Sequence, residues 1–249
     1  VMFLACCFNG SLCAQSDAQI YERTCDAKTY PFSDPSPVAT PNNSYYPYFR
    51  FDGFSMQAQE KQWKMVVLEN DYVKLTVTPE IGGKIWGAID KVNNKEFVYT
   101  NGVVKFRDVA MRGPWTSGGI EFNFGIIGHA PTCSTPIDYL TKKNVDGSVS
   151  CHIFSYEWIT RTVWNVEINL PKDKAYFTTH TTWFNQSSID QPYYQWMNAG
   201  YATKTGTRFY YPGTYSIGHS GDLHPYPIDE EGRDVSLSLI HISEPTRLR

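Results

Sequence analysis

An all-β, antiparallel sandwich is the fold class this sequence predicts, on three observations. Short runs of alternating apolar and polar residues recur between Gly, Asn and Asp turns. No long segment keeps a helical period between caps, and no tandem repeat is evident. Aromatic residues make up 15% of the chain, and these side chains favour a pleated, half-buried surface. One domain is the simplest partition of 249 residues in such a class.

Taken in order, residues 1–14 (VMFLACCFNGSLCA) read as the remnant of an export signal cleaved after Ala14. A lipoprotein signal using Cys6 in FLAC is the alternative. Residues 15–47 read as an extended N-terminal arm, because Pro31, Pro35, Pro37, Pro41 and Pro47 exclude helix and central strand. The sandwich is expected over residues 48–236. In YVKLTVTP, Val73, Leu75 and Val77 alternate with Lys74, Thr76 and Thr78; Gly82 with Gly83, and Asn93 with Asn94, supply turns. In RTVWNVEINL, Thr162, Trp164, Val166, Ile168 and Leu170 share one face while Arg161, Asn165, Glu167 and Asn169 share the other. Residues 237–249 are set apart as non-native, since Leu237 to Arg247 (LSLIHISEPTR) matches an in-frame translation of a sequencing-library adapter.

Composition excludes several classes of function. A net charge of -3 and the lack of a basic stripe argue against nucleic-acid binding. No apolar run approaches the roughly 20 residues a membrane-spanning helix needs. With the leader removed, Cys25, Cys133 and Cys151 remain; at most one disulfide forms, Cys133 to Cys151 being the nearer pair. No C-x-x-C zinc spacing occurs, and no cofactor is indicated.

LENDYVKLTVTPEIGGKIWGAIDKVNNKEFVY resembles the opening of galactose-mutarotase-like sandwiches, with a strand ending in Pro, a Gly-Gly turn and an Asp-rich hairpin. TYPFSDPSPV, YPYFRFDG, GGIEFNFGIIGHAP, WFNQSSIDQPYYQWMNAGY and GHSGDLHPYPIDEEGRDVS are similar to a family of uncharacterised exported bacterial proteins common in polysaccharide degraders. That resemblance spans Thr29 to Ser236 and implies a sandwich often followed by tetratricopeptide-type helical repeats, with carbohydrate as ligand. It further implies a sandwich cut short at its C-terminal end, because sugar epimerases of the superfamily carry a catalytic carboxylate late in the fold.

The candidate chemistry centres on IEFNF. As a strand it sends Ile120, Phe122 and Phe124 to the core and Glu121 with Asn123 to the other side, and a turn at Gly125 to Gly128 returns His129 to the same rim. A carboxylate and an imidazole facing each other across a cavity suit aldose ring opening: a base takes the anomeric hydroxyl proton and an acid protonates the ring oxygen. Trp196 and Asn198 share a face in YYQWMNAGY and offer a sugar a flat ring and a two-way hydrogen-bonding amide. Arg112 can pair with a carboxylate or a sugar hydroxyl. His219 lies beside Asp222 and His224, without the spacing of a metal site. Ser220 in GHSGD lacks the final glycine of a nucleophile elbow. His180, flanked by Thr178 and Thr182, reads as a sheet-face residue.

These residues lead to an exported, carbohydrate-recognising domain, catalytic as a sugar epimerase or glycosidase. Two alternatives stand beside it: a non-catalytic sugar-binding module, and a scaffold packed on helical repeats.

Overall fold

The computed structural model describes residues 16–32, 53–108, 114–126, 129–201, 207–218 and 220–237. The strands are β1 (Gln19–Tyr30), β2 (Gln59–Glu69), β3 (Val73–Thr78), β4 (Lys84–Asp90), β5 (Lys95–Val98), β6 (Val104–Lys105), β7 (Arg107–Asp108) and β8 (Pro114–Trp115). They continue as β9 (Ile120–Gly125), β10 (Asp138–Lys143), β11 (Val149–Glu157), β12 (Thr162–Leu170), β13 (Thr178–Asn185), β14 (Tyr194–Ala199), β15 (Tyr215–Ile217) and β16 (Leu223–Pro225). Two 3-10 turns, Pro79–Ile81 and Pro131–Cys133, are the helical elements among the described residues.

Residues 1–201 form one compact unit and residues 202–249 another. In the first, an eight-stranded sheet runs β14-β9-β4-β3-β2-β1-β6 with β5 pairing on β4, and a four-stranded sheet runs β10-β11-β12-β13. The alternation read in β12 holds: every second residue from Thr162 to Leu170 is buried. Trp164, Val166, Ile168 and Leu170 meet Val66, Leu68, Leu75, Val77, Ile85, Phe122 and Phe124 of the larger sheet in one core. Such inward alternation from two sheets defines a sandwich.

The predicted turns also form where expected. Gly82 and Gly83 both have positive φ, as does Asn94 in the β4–β5 hairpin. That hairpin is braced by the Asp90 carboxylate, which accepts from the Val92 and Asn93 amides.

Three expectations are corrected. The stretch assigned to an N-terminal arm contains β1, paired with β2 over eleven positions from Gln19 to Thr29. Its signal was masked because Glu22, Arg23, Thr24, Asp26 and Lys28 are exposed, and because β6 pairs only with its last two residues; a strand that is nearly an edge keeps polar side chains. The rest of that arm, residues 33–47, lies outside the described residues, as do residues 1–14.

Secondly, Cys133 and Cys151 are free thiols. Cys151 faces the sandwich core, whereas the Cys133 sulfur sits 3.8 Å from the Phe122 carbonyl. Burial pushes the Cys151 thiol up to about 12 and the Cys133 thiol well above its ordinary range.

Thirdly, the sandwich strands end at β14, not near residue 236. The second unit contains a small β module in which β15 pairs with β16 and an ion pair of 2.6 Å joins Arg208 to Asp234. Phe209, Tyr211, Tyr215 and Tyr226 line a cavity of about 510 Å³ within it.

Gly119 sets the approach of β9 to β4. Its φ is +65°, and a Cβ there would stand 2.3 Å from the Ile85 carbonyl oxygen. Gly119→Ala is therefore expected to cost roughly 2–4 kcal/mol, from left-handed strain plus a backbone clash. A urea midpoint within error of wild type would contradict that placement.

Candidate functional site

Strand β9 is central to the larger sheet, between β4 and β14. Ile120, Phe122 and Phe124 enter the core as read from the sequence. Across β14, Glu121 stands opposite Asn198 and Asn123 opposite Trp196, so all four share the opposite face. On the other flank Ile85 pairs with Ile120. One step along that antiparallel register, Lys84 falls beside Glu121 on the same face. The row Lys84, Glu121, Asn198 thus crosses three strands.

His129 does fold back. Its Nδ1 lies 2.8 Å from Glu121 Oε1. The return is fixed by Asn123, whose Oδ1 accepts from the Ala130 amide at 3.1 Å while its Nδ2 is 3.5 Å from Glu121 Oε1. Asn123 thereby acts as an internal brace. Pro131 then begins a 3-10 turn that places the Cys133 thiol under the same strand.

Two features differ from the expectation. The face is not a solvated wall: Glu121 is 2% exposed, Asn123 0% and His129 7%. The alternation was correct, but this second face is covered as well. Trp63, Met65, Trp86 and Phe106 form a second apolar cluster on the same sheet, and indole rings close over His129. Nor do carboxylate and imidazole face each other across a cavity. At 2.8 Å they are in direct contact, with no room for a sugar ring between them, so they form a single dyad.

The rings of Trp196 and Trp115 flank His129, with centroids at 4.8 Å (edge-on, 76°) and 5.9 Å. Both indoles are part-exposed, so exposure rises from the carboxylate outward past them. Two buried polar atoms of this cluster have no hydrogen-bond partner: Glu121 Oε2 and Trp196 Nε1. Buried polar atoms are nearly always paired, and an exception has a cause such as strain, a catalytic role or a bound group.

Lys84 and Thr116 were missed by the sequence reading. The Lys84 ammonium, 2% exposed, donates to Thr116 Oγ1 at 3.1 Å and to the Thr116 carbonyl. Desolvation brings its pKa down to about 8, a fall that the Glu121 charge opposes. The alternation in KIWGAID puts Lys84 and Trp86 on one face, but only the sheet order puts that face beside Glu121.

Arg112 and His219 lie outside the described residues. His180 is exposed and faces Glu167 across β12 and β13. His224 lies 3.5 Å from Glu230. Among the described residues no three His, Cys, Asp or Glu side chains are gathered to hold a metal ion, and no helix is long and apolar enough to cross a membrane.

A family model described as a domain of unknown function, DUF5107, matches residues 40–239. The chain belongs to the DUF5107 family. The DUF5107 chain is also similar to a solved structure, a TPR-domain containing protein from Parabacteroides distasonis, with a TM-score of 0.72 and 25% identity. The match covers 81% of this chain and 35% of that one, so the DUF5107 chain spans about a third of its neighbour's length.

Proposed function

We propose that this is a carbohydrate-recognising domain of an exported glycan-processing protein, with the Glu121–His129 dyad as its acid/base group. The observation that carries the reading is that Glu121 Oε2 and Trp196 Nε1, on the same face of neighbouring strands, are buried without a geometric hydrogen bond in the protein. A sugar satisfies both at once: hydroxyls reach the carboxylate oxygen and the indole N–H, and a C–H face lies on an aromatic ring. Half-buried Asn198, on the same face, adds a donor and an acceptor.

The dyad geometry supports proton exchange by one group. With Glu121 ionised, Oε1 accepts from His129 Nδ1–H and leaves Nε2 as the acceptor. The anomeric hydroxyl and the ring oxygen share one carbon, so a single imidazole can take the proton from the first and return it to the second, opening the ring. Because the pair is covered, the sugar reaches it past Trp115 and Trp196, which makes indole fluorescence a reporter of binding.

Export is supported by the apolar residues 1–14. The named neighbour supports a domain that adjoins helical repeats in a longer protein. Burial of the carboxylate favours a second reading, recognition without turnover.

The test is anomer exchange by NMR and binding by calorimetry across a sugar panel. Glu121→Gln is expected to slow exchange at least ~100-fold while keeping binding within about tenfold. Binding without exchange in the wild type leaves the non-catalytic module. Neither activity removes the carbohydrate reading altogether.

A further inference from the structure

Lys84 is the buried charge that neither the strand alternation nor the dyad accounts for. Its ammonium has two acceptors on one residue, Thr116, and no ion pair with it closes within 4 Å among the described residues. A buried, underpaired ammonium is costly, and a cation in such a place is retained where it acts on a neighbour. The neighbour across the sheet is Glu121: Ile85 pairs with Ile120, which brings Lys84 to the next position on the same face. Gly119, with no Cβ, leaves room for the lysine stem, whose Cε would otherwise be 3.1 Å from a side chain there.

We propose that Lys84 is the positioning residue of the dyad: its ammonium, anchored on Thr116 and set beside Glu121 by the β4–β9 register, holds the carboxylate in the place from which it orients the His129 ring. This rests on the dyad reading above for its use, though not for its test. Lys84 from β4 and Cys133 from the 3-10 turn both feel the Glu121 charge. The thiol is kept neutral by burial first and by the Glu121 charge second, which leaves Lys84 as the facing cation.

The experiment follows two NMR signals of the ligand-free protein. In wild type the Lys84 Cε resonance should titrate near 8, and in Glu121→Gln it should titrate lower, because the carboxylate charge raises the lysine. In Lys84→Met the His129 ring nitrogen resonances, which report the tautomer and are assigned with His129→Gln, should move from their wild-type positions at one fixed pH, with Lys84→Arg restoring them. A purely structural lysine would leave the His129 resonances in place. The proposal is overturned if Glu121→Gln does not lower the Lys84 titration, or if a folded Lys84→Met leaves the His129 resonances unmoved. Should Lys84→Met not fold, the Glu121→Gln measurement decides. Failure of sugar exchange with both shifts present would remove the catalytic reading and leave the positioning role intact.

Discussion

Trp164→Ala should lower the unfolding free energy by about 3–5 kcal/mol, the range for truncating a large buried ring. Trp164 is 0% exposed and carries the contact between the two sheets. Its ring stacks on Phe124 of the larger sheet with centroids 4.4 Å apart and 11° between planes. On the smaller sheet it stands opposite Ser155 of β11 and Trp183 of β13. Removing it empties a space bounded by strands of both layers, which close-packed sheets cannot refill by collapsing. The indole Nε1 has no partner, so part of the tryptophan's burial already works against the fold. Trp164→Phe keeps the stacked ring and deletes the unpaired N–H, and should cost less than half as much as alanine. Urea unfolding of both variants checks the pair. An alanine variant within about 1 kcal/mol of wild type would mean that the sheets do not share this core.

The sandwich was legible because its strands keep strict alternation. The face of β12 that holds Trp164, the turn at Gly82 and Gly83, and the split of β9 into Ile120, Phe122 and Phe124 against Glu121 and Asn123 all follow from a period of two. The return of His129 towards Glu121 was also readable, since Gly125 closes β9 and Gly128 precedes the histidine. What alternation cannot tell is whether the second face is wet. That depends on what covers it, and here the cover comes from the Trp196 of another strand and the Trp115 of a loop-flanking strand. Lys84 was unreadable for a related reason. Its placement beside Glu121 is a fact of sheet order, β4 next to β9, and the two strands are separated by the whole of β5 to β8. β1 was hidden by its own polarity, as nearly unpaired edges are.

Between pH 8 and 10 the stability difference between wild type and Lys84→Met should shift in favour of the wild type by about 2 kcal/mol. The folded state lowers the Lys84 pKa from 10.5 to about 8, so in this window the unfolded chain holds more protons than the folded one. Stability then rises with pH. The lysine's contribution is fully present above 10.5 and is lost as pH falls through about 8, where the buried amine must carry its charge. The wild-type curve alone hides this, because the buried thiols work in the opposite direction. Cys151, pushed up to about 12, and Cys133, raised well above 9.0, stay protonated in the fold while unfolded thiols ionise, and each loses stability as pH climbs. The Cys151 effect is common to both proteins and cancels in the difference; Cys133 feels the Lys84 charge, but burial is its largest cause and remains in the variant. Urea melts of wild type and Lys84→Met at several values from pH 7 to 10 measure it. A difference that stays flat would place the Lys84 ammonium in water, not against Thr116 and Glu121, and would remove the physical basis for its influence on the dyad.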